Sequence, residues 1–78
     1  MLPELTNREN EVLEQLAYGF TNREISGNLS ITESTVENHI HHIYTKLGIS
    51  KRAQAVGYAF YLKIVLLDDV IDNRWNPS

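Results

Sequence analysis

The sequence predicts an all-α fold of four short helices, with a tight turn between the second and third and no β-wing. Three observations carry this reading. Apolar residues recur at the three- to four-residue spacing of a buried helical stripe in four successive segments. Threonine followed three residues later by glutamate, a helix-start signature, occurs at Thr6 and at Thr21. Gly19 and Gly48 stand at the ends of two of the stripes, where helices stop.

Residues 1–5, with Pro3, form a lead-in. Thr6-Asn7-Arg8-Glu9 opens the first helix: the threonine oxygen accepts from the amide three residues on, and the Glu9 carboxylate reaches back to the Thr6 amide. Val12, Leu13, Leu16, Ala17 and Phe20 form its apolar stripe, with Glu9, Glu11, Glu14 and Gln15 largely off it. Thr21-Asn22-Arg23-Glu24 opens a short second helix reaching about Leu29, with Ile25 and Leu29 facing the core. Gly27 inside it costs about 1 kcal/mol relative to alanine. Ser30-Ile31-Thr32 makes the turn. Thr32 caps the third helix and Glu33 suits its positive end. Val36, Ile40, Ile43 and Leu47 are its core stripe. Ser50 is expected to cap the fourth helix, where Ala53, Val56, Ala59, Phe60, Ile64 and Leu67 are apolar at helical spacing. Ala55, Tyr58, Leu62 and Leu66 make much of its other side apolar too, and a helix apolar nearly all round in so small a protein calls for a second partner. The pattern stops after Leu67, so residues 1–67 read as one domain and 68–78 as an acidic C-terminal tail containing Trp75.

Seventy-eight residues make a single domain with a thin core. The absence of cysteine excludes a disulfide framework, a thiolate zinc site and thiol chemistry. The best apolar run, Ala55 to Leu67, is interrupted by Lys63 and is shorter than the ~20 residues of a spanning helix. No secretory signal opens the chain. The expectation is a cytoplasmic protein without membrane association. The net charge of −3 is unevenly spread. Residues 1–37 hold seven acids against two arginines, and residues 64–78 three aspartates against Arg74. Residues 38–63 hold Lys46, Lys51, Arg52 and Lys63, three histidines and no acid.

Two helices joined by a three-residue turn form a helix-turn-helix unit, whose second helix is of a size that the DNA major groove admits. Opposite its core stripe the third helix presents Ser34, Glu37, Asn38, His41 and Thr45. The N-termini of the second and third helices carry free amides and positive dipole ends, which suit phosphates, and Lys46, Lys51 and Arg52 can add cationic contacts. The detailed string is more specific than this outline. It runs Leu5-Thr6-x-Arg8-Glu9-x-x-Val12-Leu13, Gly19, Thr21-Asn22-Arg23-Glu24-Ile25, then Ile31-Thr32-Glu33-Ser34-Thr35-Val36-x-x-His39-Ile40-x-x-Ile43-Tyr44-x-Lys46-Leu47-Gly48-Ile49 and Arg52-x-x-Ala55-Val56. In order, residue types and spacing it closely resembles the LuxR-type (GerE-like) DNA-binding domain, over residues 5 to about 66.

The resemblance implies a four-helix helix-turn-helix module of a bacterial transcription regulator, often the C-terminal output domain of a response regulator or quorum-sensing receptor. It implies a homodimer on double-stranded DNA, formed through the fourth helix, with Ala55, Tyr58, Ala59 and Leu62 as the expected interface. Thr35 and the residues around Asn38 would lie along the groove, with Ser34, Glu37, Asn38 and His41 near the bases and Asn22, Arg23 and Lys46 on backbone phosphate. The chain departs from the family pattern at three places. Glu37 replaces a common lysine or arginine, and an acid there repels phosphate but accepts from cytosine N4. His41 replaces a residue that is often basic, and Ser26-Gly27 stands where alanine is usual in the second helix. These bear on affinity and base preference more than on fold.

No catalytic constellation, Gly-rich phosphate loop or carboxylate pair is visible, so no enzyme activity, cofactor or small-molecule ligand is expected. His39, His41 and His42 lack the four tetrahedral ligands of a zinc site, so no metal is expected either. Arg8 and Glu9 read as structural residues of the first helix. A second reading keeps the fold but makes it a protein-interaction module with weak or lost DNA affinity, motivated by Glu37 and the net acidity.

Overall fold

The computed structural model describes residues 4–62. They form α1 (Asn7–Ala17), α2 (Asn22–Leu29), α3 (Glu33–Leu47) and α4 (Arg52–Tyr61), with no strand among them. The expected extension of the fourth helix through Ile64, Leu66 and Leu67, the 68–78 tail and Trp75 lie outside the described residues. No helix among those described is long and apolar enough to cross a membrane.

α1 packs against both α3 and α4, and α2 packs on α3. The core takes Val12, Leu13, Leu16 and Ala17 from α1, Ile25 from α2, Val36, Ile40, Ile43 and Leu47 from α3, and Ala55 and Ala59 from α4. The stripes read from spacing in α1 and α3 are therefore the buried ones, apart from Phe20, which lies past the end of α1 and packs at the core's edge. α4 differs from expectation. Its inward face is Ala55 and Ala59, both fully buried, while Val56, Tyr58, Phe60 and Leu62 are only half-buried and Ala53 is exposed. Small side chains let α4 approach α1 closely, which is why the alanines go inside.

Three of the four starts follow the threonine rule. Thr6 and Thr21 close full capping boxes with Glu9 and Glu24. Thr32 Oγ1 accepts from the Thr35 amide at 3.1 Å. The fourth start does not use Ser50. Lys51 occupies the cap position, and Gln54 Oε1 accepts from the Ser50 and Lys51 amides, each at 3.0 Å. The carboxamide of the first turn does the work expected of a serine hydroxyl.

α1, α2 and α3 all end the same way: one residue turns left-handed, and the next donates its amide back five residues, from Phe20 to Gln15, Ile31 to Ser26 and Ile49 to Tyr44. The left-handed residues are Gly19, Ser30 and Gly48. Serine at φ 58° carries a steric cost that glycine lacks. Ser30→Gly is expected to stabilise the domain by about 0.5–1 kcal/mol, the relieved strain less the extra unfolded-state entropy of glycine. Gly27 is exposed and a Cβ there would meet open space, so Gly27→Ala should gain a similar ~0.5–1 kcal/mol. Each change should raise the melting temperature by several degrees, at roughly 4–8 °C per kcal/mol for a domain this small. A lower melting temperature for Ser30→Gly would refute the strain argument.

Candidate nucleic-acid interface

α3 divides cleanly into two faces. Val36, Ile40, Ile43 and Leu47 are buried, whereas Ser34, Glu37, Asn38, His41 and Thr45 are exposed at i, i+3, i+4, i+7 and i+11. Thr35 and His39 are half-buried at the margins. The Thr35 hydroxyl lies 2.9 Å from that of Thr32, which ties it to the cap. The Thr45 hydroxyl donates to the His41 carbonyl one turn back at 3.0 Å. Ser34, Glu37, Asn38 and His41 make no such side-chain hydrogen bond to the rest of the described chain, so their polar groups are available to a partner. His41 and His42 are ring neighbours at 6.1 Å. No cluster of three or more potential metal ligands forms among the described residues.

The residues expected at phosphate divide differently. Arg23 is exposed at the start of α2 and has no carboxylate partner among the described residues. Asn22 is half-buried, and its Oδ1 accepts from Arg52 Nη1 at 3.0 Å. Arg52, read from sequence as a further phosphate contact, also donates through Nη2 to the Phe20 carbonyl at 2.6 Å. Its guanidinium thus bridges from α4 to the corner between α1 and α2. Lys46, expected on backbone phosphate, is engaged within the fold: its Nζ lies 2.7 Å from Glu9 Oε1, with Glu9 buried and the Lys46 side chain 36 % exposed.

Glu9 was expected off the apolar stripe and is instead inside it. It stands three and four residues before Val12 and Leu13, hence on the same face. Burial alone raises its carboxyl pKa, but the Lys46 ammonium and the Thr6 amide and hydroxyl outweigh that and hold it below the ordinary 4.5. Arg8 takes no part, pairing instead with Glu11 at 2.9 Å on the surface. The Glu9–Lys46 pair joins the first turn of α1 to the last turn of α3.

The expected dimer residues also separate. Ala55 and Ala59 are fully buried beneath α4 and offer nothing to a second copy, which corrects their assignment to an interface. Tyr58 and Leu62 are half-buried, and the neighbouring Tyr61 is 68 % exposed, its ring edge-on to Tyr58 with centroids 6.1 Å apart. Tyr61 lies three residues after Tyr58, on the same side of the helix.

A buried-cored pair of helices joined by a short turn, the second with a polar outer face, places the domain in the helix-turn-helix class. Residues 3–59 match the family described as bacterial regulatory proteins, luxR family, and the chain belongs to that family. It is 50% identical over 58 residues to the transcriptional regulatory protein LnrK of Bacillus subtilis, covering 74% of this chain and 26% of LnrK. It is 43% identical over 61 residues to the response regulator protein VraR of Staphylococcus aureus, covering 78% of this chain and 29% of VraR. Among solved structures it resembles the response regulator ChrA of a heme-sensing two-component system, with a TM-score of 0.74, 39% identity, and coverage of 80% of this chain and 31% of ChrA. The chain therefore spans between a quarter and a third of the length of these relatives.

The ion pair makes a pH-dependent contribution with a definite sign. A carboxyl held below its unfolded pKa adds stability that is complete above 4.5 and is lost as pH falls through the lower folded-state value. Urea unfolding of Glu9→Gln should accordingly show a weaker loss of stability on acidification below pH 4.5 than the native chain. Lys46→Met, which leaves the buried carboxylate without its ammonium, should cost about 2 kcal/mol at neutral pH. That is less than the ~3–5 of a fully buried pair, because water reaches part of Lys46. Equal acid sensitivity in Glu9→Gln and the native chain would remove Glu9 from this role.

Proposed function

We propose that the chain is the DNA-reading part of a cytoplasmic transcriptional regulator, binding duplex DNA sequence-specifically as a dimer with α3 in the major groove. One observation carries this. α3 spends its entire apolar stripe on the core, yet keeps Ser34, Glu37, Asn38 and His41 exposed together and without structural duties. Ser34, Glu37, Asn38 and His41 reach base edges, with Thr35 beside them along the groove. Asn22 and Arg23 contact phosphate at the start of α2, where first-turn amides and the helix dipole favour an anion. Lys46 has three ammonium donors and uses one on Glu9, so a phosphate contact is compatible with its ion pair. Tyr58, Tyr61 and Leu62 form the dimer face; the aromatic surface left uncovered on α4 supports this reading. The named relatives are transcriptional and response regulators, which favours the same class of function.

Glu37 gives the reading its sharpest test. As an acceptor for cytosine N4 it contributes about 1–3 kcal/mol of discrimination at one base pair. After selection of a preferred duplex, Glu37→Ala should lose roughly tenfold or more in preference for C·G at a single position while leaving affinity for the other bases nearly unchanged. Native affinity should fall steeply between ~50 and ~200 mM salt. The second reading, an interaction module with little DNA affinity, is favoured by Glu37 and the net charge of −3. It requires a native chain that shifts no selected duplex, with Glu37→Lys creating binding; a native footprint on a defined site ends it.

The dimer is tested separately. Tyr58→Glu puts a charge on the half-buried flank of α4 beside the exposed Tyr61, while Ala55 and Ala59 stay in the core. Sedimentation should show the native chain as a dimer at high concentration and this variant as a monomer with unchanged helical content. An unchanged mass would place the interface elsewhere.

A further inference from the structure

Arg52 lies in the first turn of α4 and reaches across 30 residues of sequence to Asn22 and 32 to Phe20. Both partners are neutral oxygens, and no carboxylate pairs with this guanidinium among the described residues. A planar guanidinium fork holds two acceptors in fixed relative positions, which an ammonium on a flexible stem does not. The Phe20 carbonyl belongs to the left-handed corner after α1, and Asn22 is the first residue of α2. The fork therefore fixes the corner and the asparagine at once.

The orientation of the Asn22 carboxamide follows. Its oxygen is held on Arg52, so its nitrogen turns the other way. Nδ2 has no acceptor among the described residues and keeps both donors. Were the amide reversed, a lone-pair oxygen would face outward and two N–H groups would face a guanidinium that can only donate. We propose that Arg52 is a positioning residue for DNA contact: it orders the α1–α2 corner and aims the Asn22 Nδ2 donors at a phosphate oxygen, without itself being the phosphate ligand. The proposal rests on the reading above in which Asn22 contacts the backbone.

The test uses the 78-residue chain and a duplex selected for tight binding. Affinities of the native chain, Asn22→Ala, Arg52→Lys, Arg52→Met and the double variant Asn22→Ala/Arg52→Lys are measured by fluorescence anisotropy at several salt concentrations. Thermal melting checks that each variant folds, and Arg52→Lys preserves the charge that Arg52→Met removes. A positioning role predicts that Asn22→Ala and Arg52→Lys each weaken binding by about tenfold, the scale of one charge-assisted hydrogen bond. The double variant should be no weaker than either single one, because both remove the same contact. The slope of log affinity against log salt should be unchanged in Arg52→Lys and in Arg52→Met.

Multiplying effects in the double variant would overturn the proposal. So would native-like binding by Arg52→Lys together with a salt slope smaller by about one in Arg52→Met, which is the signature of a direct phosphate ligand. Full affinity in Asn22→Ala while the native chain binds tightly would instead remove Asn22 from the phosphate contact, and the positioning role with it. Failure of the native chain to bind any selected duplex would sink the DNA reading itself, a result distinct from all of these.

Discussion

Burial of one side of α3 is the constraint that the rest of the domain obeys. Val36, Ile40, Ile43 and Leu47 contribute one residue per turn to the core, each worth about 1.5–3 kcal/mol on removal from water. Turning α3 by a single residue position, about 100°, would bring Glu37 towards the core and expose Val36. The outer face is therefore whatever the stripe leaves over. Apolar contact alone has no direction and tolerates sliding. The 2.7 Å contact between Lys46 and the buried Glu9 supplies a directional tie to α1 at the far end of the helix. The apolar stripe decides which side of α3 is buried, and the ion pair ties the end of that helix to the start of α1.

What was legible in the sequence follows from the range of each interaction. Helical stripes and threonine caps act within a few residues, so Val12, Leu13 and Leu16 in α1, the α3 stripe and the caps at Thr6, Thr21 and Thr32 could be assigned from spacing. The outer face of α3 followed as the complement of its stripe. Contacts between distant residues leave no period to read. Glu9 and Lys46 are 37 positions apart, and Arg52 is 30 and 32 from its two acceptors. Glu9 did carry a usable signal, since a carboxylate sharing the face of Val12 and Leu13 must find a cation. α4 was harder for the opposite reason. A helix with apolar residues on most sides does not show by spacing which side is inward, and the decision fell to size, with Ala55 and Ala59 fitting where tyrosine does not.

The same economy explains how an acidic chain keeps a surface fit for an anionic partner. Glu9 and Glu24 each accept the amide of the residue that caps their helix, and Glu33 sits in the first turn of α3. Acids at helix starts meet the positive dipole end, so much of the negative charge is satisfied within the fold. Glu11 is matched by Arg8. Arg23, Lys51 and Arg52 remain without carboxylate partners among the described residues, and all three stand at the N-terminal ends of α2 or α4. Net charge is a poor guide here because the two signs are assigned different tasks.

That division also bears on why a second copy matters to the proposed activity. Phosphate neutralisation scales with the number of cations delivered to the backbone. One copy offers few, since Lys46 shares its charge with Glu9 and Arg52 is turned onto the α1–α2 corner. In the proposed reading, Glu37 on the outer face of α3 would subtract from attraction while adding discrimination. A domain arranged this way gains little from a single docking event. Two copies held together double the phosphate and base contacts, and the second docks at the high effective concentration set by the first. On the proposed reading, the exposed Tyr61 flank of α4 and the sparsely cationic face of α3 would be linked: weak reading by each copy, made useful by pairing.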